Sequence, residues 1–372
     1  GPYSEDRFSA LLEKKIGLAE SVKDSAVGHF QWLFASHDNP GRMQAGEGFR
    51  TIDQVGPVNY KGLFTSWDEP TSAYYMYRSN YANKYTDPMV YIPMHNWSNR
   101  WLTPGIKNEL IIYSNCDEVV LYNDVNKTEI GRQRNLGIGK HFTFNDVSIK
   151  YNLLYAVGYV NGKAVATDCI RLANFPKAPN VDTWIKPSNI TKPKEGYHYL
   201  YRVNCGGDRY TDVNGNNWLA DTDDTTNTFY ASSWTHQYNS KPAVFASQRM
   251  VADYIKSTND QSLFQSIRYG KDALKYHFKV PNGVYRIELY FIEPWFGASQ
   301  IDASGWRIFD IRCNDKIVIK NLDIYKEAGA LRALQKTFEV VVTNGKIVID
   351  FPGAAASQAV IAAIAVANKK ID

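Results

Sequence analysis

Asn282-Gly-Val-Tyr-Arg-Ile-Glu-Leu-Tyr-Phe-Ile-Glu293 is the stretch from which the fold is read. A turn-forming Asn-Gly pair opens it, and apolar and polar side chains then alternate from Tyr285 to Leu289. A period of two belongs to a strand with one face buried. Similar runs recur at Tyr276–Val280, Arg307–Cys313, Lys316–Ile319, Thr337–Thr343 and Lys346–Phe351, and Val360–Val366 supplies a final apolar strand. Asn344-Gly345 repeats the turn signal, so both Asn-Gly pairs read as hairpins. Residues 196–372 are therefore expected to form one β-sandwich.

Upstream, Phe175–Glu195 carries Pro176, Pro179, Pro187 and Pro193 among lysines and asparagines, the composition of an extended linker at 176–195. Before it, short β-type runs at Met89–Ile92, Glu109–Tyr113, Val119–Tyr122, His141–Phe144 and Tyr151–Val160 predict a second sandwich over 87–175, with Asn161-Gly162 as a hairpin turn. Residues 1–86 read differently. Phe8, Leu11, Leu12, Ile16 and Ala19 have helical spacing, and the apolar run Ala26–Phe34 resembles a strand buried on both faces. A long loop, roughly residues 36–60, leads to a second helix around Pro70–Tyr81.

The 372 residues exceed what a single core usually organises. A net charge of +4 spread without blocks, and no basic stripe interleaved with aromatics, argue against a nucleic-acid surface. No apolar stretch is long enough for a membrane helix. Cys116, Cys169, Cys205 and Cys313 lack metal-ligand spacing, and one disulfide stays open as an alternative. Neither a metal nor a cofactor is implied. The opening Gly1-Pro2 looks like the scar of a tag-removing protease, so a trimmed fragment is expected. Aromatic residues make up 14% of the chain, which suits either pleated half-buried surfaces or flat platforms for sugar rings.

Three stretches in order resemble the C-terminal half of family 2 glycoside hydrolases, the β-galactosidase-like group: Gly28-His-Phe-Gln-Trp32; Lys61-Gly-Leu63 with Ala73-Tyr-Tyr-Met-Tyr-Arg78; and Tyr113-Ser-Asn-Cys-Asp-Glu-Val119. The resemblance implies a remnant of a (β/α) barrel over 1–86, followed by an immunoglobulin-like β-sandwich. Residues 198–372 resemble malectin-like carbohydrate-binding domains through Tyr201-Arg-Val-Asn-Cys-Gly-Gly207, Asp212, Gly215, Trp218, Asp221, Tyr285–Glu293 and Arg307–Asn314. That implies a jelly-roll type sandwich and makes the chain mainly β.

Retaining glycosidases use two carboxylates about 5 Å apart. By the resemblance both belong to earlier barrel strands, and Glu5 is the only nucleophile candidate here; the alternative is a solvated glutamate at a helix start. Trp32 would line the sugar cleft or fill a truncated barrel's core, with His37 and Asp38 at the rim. In the malectin-like part, Tyr269, Trp295 and Phe296 match a ligand site, either as ring contacts or as loop-anchoring packing. Tyr230 and Trp234 are weaker candidates. Asp221, Asp223 and Asp224 read as a solvated acidic turn rather than a calcium site. Ser357 and Gln358 stand where the family has a late aspartate.

The implied function is the non-catalytic tail of an exported polysaccharide-degrading enzyme, in the periplasm, at the cell surface or outside the cell. Its partners would be an oligo- or polysaccharide and the catalytic half that the sequence lacks. The competing expectation is a malectin-like unit that only stabilises the barrel.

Overall fold

In the computed structural model, which describes residues 4–38, 58–59, 61–125, 128–232, 248–271 and 273–369, the chain divides into two units. One is Gly1–Val181 with Ala298–Ile301; the other is Asp182–Gly297 with Asp302–Asp372.

The first unit opens with α1 (Glu5–Ser21), which buries Leu12 and Ile16 but leaves Leu11 and Leu18 exposed, a narrower apolar stripe than its spacing predicts. After it come the short pair β1 (His37–Asp38) and β2 (Val58–Asn59), then α2 (Ser72–Tyr81). The run expected as a doubly buried strand is not one. Val27, Phe30, Trp32 and Phe34 are largely exposed, and pairing is confined to residues 33–36 beside 61–64, with a parallel bridge from Ala35 to Phe64. A parallel strand is covered on both faces only where strands flank it on both sides. Among the described residues only one side is supplied.

Nine strands follow: β3 (Val90–Tyr91), β4 (Gly105–Lys107), β5 (Leu110–Ser114), β6 (Glu118–Tyr122), β7 (Glu129–Arg134), β8 (Phe142–Phe144), β9 (Val147–Ile149), β10 (Leu153–Val160) and β11 (Lys163–Arg171). They form a sheet in the order β11-β10-β6-β7, a sheet β3-β5-β8 and the pair β4-β9. Val90, Ile112, Val119, Leu121, Phe142, Phe144, Leu154 and Ala156 share one core, as the predicted sandwich requires. The proline-rich stretch is packed rather than extended. It contains the short α3 (Val181–Ile185) and buries Phe175, Ala178, Val181, Ile185 and Thr191. Proline content limits the backbone, but it does not prevent the intervening apolar residues from anchoring.

The second unit contains β12 (Tyr197–Asn204), β13 (Tyr210–Thr211), β14 (Asn217–Ala220), β15 (Phe229–Ser232), β16 (Gln248–Met250), α4 (Gln261–Gln265), β17 (Ser266–Gly270), β18 (Lys275–Lys279) and β19 (Gly283–Phe291). It continues with β20 (Ile308–Cys313), β21 (Lys316–Leu322), α5 (Ile324–Ala328), β22 (Leu334–Val342), β23 (Lys346–Asp350), β24 (Ala354–Ala356), β25 (Ala359–Ile361) and β26 (Ala363–Lys369). One sheet runs β13-β14-β12-β26-β19-β22, a second β15-β18-β23-β20-β21 with β24 on β20, and a third β16-β17-β25.

Of the three Asn-Gly pairs read as hairpin turns, Asn161-Gly162 makes one, joining β10 to β11 with φ of 50° and 72°; a fourth pair, Asn214-Gly215, lies in the loop of the β13–β14 hairpin. Asn282-Gly283 and Asn344-Gly345 are corners where the chain leaves one sheet for another. They are tied together: Gly345 N donates to Asn282 Oδ1 at 3.0 Å, and Val280 N to the Gly345 carbonyl at 3.0 Å. The tight hairpin of this unit is Asn314-Asp315, with φ of 44° and 69° between β20 and β21. Cys116, Cys205 and Cys313 are free thiols.

Two motif residues are explained by backbone contact. Gly206 has φ of 71°, and a Cβ there would lie 2.4 Å from the Ile267 carbonyl oxygen. Its N–H donates to Asp221 Oδ2 at 2.6 Å. Asp221 is therefore no solvated turn residue. Its carboxylate is closed in by Arg268 at 2.7 Å and the Tyr276 hydroxyl at 2.8 Å. Gly206→Ala is expected to destabilise this unit by about 2–4 kcal/mol, from the left-handed backbone and the clash together, as read by urea unfolding.

Candidate functional site

The site is built where β19 ends. Glu293 is fully buried, and so is Arg307, which enters just before β20. Arg307 Nε donates to Glu293 Oε2 at 2.6 Å and Nη2 to Oε1 at 3.1 Å, while Nη1 donates to the Gln358 carbonyl. Glu293 Oε1 also accepts from the backbone N–H groups of Trp295 (3.3 Å) and Phe296 (3.1 Å). One carboxylate thus holds both a guanidinium and the turn that carries the aromatic pair.

That arrangement draws the rings inward. The Arg307 guanidinium lies 4.2 Å from the Trp295 ring centre and 5.0 Å from that of Phe296. Tyr269 on β17 meets Trp295 edge-on at 5.7 Å, and Trp306 meets Phe296 at 5.6 Å. Tyr269, Trp295 and Phe296 are 4%, 6% and 4% exposed, so the structure brings the three together but not as an open platform on a loop. The physical reason is the ion pair: an arginine stacked on two rings is covered on its faces and tied at its edges.

Two buried side-chain atoms have no hydrogen-bond partner among the described residues: Trp295 Nε1 in this cluster and Ser357 Oγ, one residue before Gln358. Ser357, with φ of 52°, precedes the Gln358 whose carbonyl takes Arg307. Buried polar groups are normally paired. An indole N–H and a serine hydroxyl are groups able to hydrogen-bond sugar hydroxyls.

The remaining candidates lie elsewhere. Tyr230 stacks on His277 at 4.4 Å, on a different sheet from the Trp295 turn. Trp234 falls outside the described residues. Trp32 is 76% exposed. His37 and Asp38 pair across β1–β2 with Asn59 and Val58. Glu5 Oε1 accepts from Ser72 N at 2.5 Å, at the amino end of α2, where the helix dipole favours a carboxylate. The residues not anticipated as a pair are Glu293 and Arg307. Their one signal was that opposite charges bracket the aromatic turn; periodicity says nothing of a contact across such a loop.

Residues 199–372 match the family model of the malectin domain. This part of the chain is a malectin domain. Residues 105–166 match a second model, a domain of unknown function, DUF4982. A putative β-glucuronidase of Formosa agariphila is 26% identical over 159 residues, 42% of this chain and 17% of that protein. Malectin-B of Xenopus laevis is 28% identical over 149 residues, 40% of this chain and 47% of that protein. The chain thus spans less than half the length of either relative. The crystal structure of Bacteroides uniformis β-glucuronidase covers 91% of this chain, which covers 35% of it, at 23% identity and a TM-score of 0.38.

In the malectin domain, Glu293→Gln leaves the Arg307 charge buried without its counterion, and a loss of about 3–5 kcal/mol in urea unfolding is expected. The double replacement Glu293→Leu with Arg307→Met restores part of that loss, because it removes both charges together but leaves the Trp295 and Phe296 N–H groups and the Gln358 carbonyl without these partners.

Proposed function

We propose that this chain is the C-terminal portion of a secreted, β-galactosidase-like retaining glycoside hydrolase of the family 2 type. In this reading the malectin domain holds oligo- or polysaccharide during polysaccharide breakdown, and bond cleavage belongs to a catalytic half outside this chain. Carbohydrate binding rests on one observation above all: Trp295 Nε1 in the Tyr269–Trp295–Phe296 cluster, and Ser357 Oγ next to the Gln358 that anchors Arg307, are buried without a hydrogen-bond partner among the described residues. The link to a hydrolase is supported by the exposed apolar row Val27, Phe30, Trp32 and Phe34, since contiguous apolar surface marks an interaction site. The parallel pairing of 33–36 with 61–64 supports the same reading, because neighbouring strands of an α/β barrel pair in parallel.

A purely structural malectin domain is the second reading, favoured by the burial of the three rings. Titration of gluco- and galacto-oligosaccharides against tryptophan fluorescence separates the two. Ser357→Ala is the informative variant, because truncating the buried Trp295 endangers the fold itself. Binding should weaken about two- to tenfold on losing one neutral hydrogen bond; no fluorescence response to any sugar favours the structural role.

Glu5 contributes a cap rather than a nucleophile in this proposal. The purified chain is expected to release no chromophore from aryl glycosides, and Glu5→Gln to lower helix stability by about 0.3–1 kcal/mol through the lost charge–dipole term. Glu5-dependent turnover would overturn this assignment.

A further inference from the structure

We infer that the outward face of the β15-β18-β23 sheet binds an anionic polysaccharide, at a surface separate from the Trp295 turn. On β18, Lys275, His277 and Lys279 alternate with Tyr276 and Phe278, which are buried in the core. On β23, Lys346, Val348 and Asp350 alternate with the buried Ile347 and Ile349. Both sets therefore project to one side. The register puts Lys279 directly opposite Lys346, Val348 opposite His277, and Asp350 opposite Lys275. Tyr230 of β15 lies opposite His277, and the two rings stack at 4.4 Å with 12° between their planes.

Charge and shape point the same way. Like charges facing each other across two strands repel and cost stability, yet Lys279 and Lys346 are both exposed, and neither has a carboxylate within ion-pair reach among the described residues. The acidic group of this face, Asp350, is already held by Arg312 through three contacts and approached by Lys275 at 4.0 Å. Asp310 accepts the Asn321 N–H on the neighbouring strand. The cations thus outnumber the free anions, and the positive field is left for a ligand. Partial burial, with Lys275 and Lys346 nearby, keeps the His277 imidazole below its usual range, so at neutral pH it adds a flat uncharged ring to that of Tyr230. A ring platform bordered by ammonium groups fits a pyranose chain bearing carboxylates or sulfates.

The test uses the whole chain with polygalacturonate fragments, neutral galactan fragments of matched length, and duplex DNA. Polygalacturonate should bind, and weaken as salt is raised. Lys279→Gln with Lys346→Gln should reduce its affinity about five- to tenfold, the sum of two exposed ion pairs. Without ligand the same double variant should unfold at a slightly higher temperature, because the repulsion is gone. Tyr230→Ala should also weaken binding, whereas Ser357→Ala should not, which separates this face from the Trp295 site. Neutral galactan binding that falls with the lysine replacements as far as polygalacturonate binding does, DNA binding as tight as polygalacturonate, or indifference of polygalacturonate to the lysine replacements would each overturn the inference.

Discussion

Between Glu293 and Arg307 runs the contact on which the aromatic end of the malectin domain depends. Both groups are removed from water, which is costly for either charge alone. The cost is offset only because each carries further bonds: the carboxylate takes two backbone N–H groups of the turn, and the guanidinium reaches the Gln358 carbonyl. Three separate chain segments are thereby fixed around one charge pair. The rings of Trp295 and Phe296 then close over the guanidinium, and Tyr269 and Trp306 pack at their edges.

The same logic, a polar group held by several segments, recurs at Asp221. Its carboxylate gathers Gly206, Arg268 and Tyr276, so the glycine-containing motif, the acidic turn and two strands meet at one oxygen. The paired corners at Asn282-Gly283 and Asn344-Gly345 do comparable work for the backbone. Two turns far apart in sequence hold each other where the chain crosses between sheets.

Much of this was legible beforehand. Both sandwiches follow from alternation, because a strand with one wet face must repeat every two residues. The malectin domain was recognisable from motifs that include Gly206, which cannot be replaced without backbone collision. Less legible was the fate of individual turns. An Asn-Gly pair announces positive φ, but hairpin and corner use it equally, and the choice depends on which strands pair. Trp295-Phe296 in a Pro/Gly stretch read as surface, whereas a buried carboxylate in the same turn pulls it inward. The run from Val27 to Phe34 read as core; its burial needs neighbours on both sides, and the described residues supply one.

Periodicity and turn chemistry are local properties, and by themselves they determined that this chain is mainly β, with its strands near their observed places and its hairpin at Asn161-Gly162. What only the tertiary structure decided is which polar residues face one another across sheets: Glu293 with Arg307, Asp221 with Arg268, Lys279 beside Lys346. The reason is separation along the chain. A side chain's burial and charge environment are set by partners that local spacing does not encode, and the chemistry of both candidate surfaces is made of such pairs.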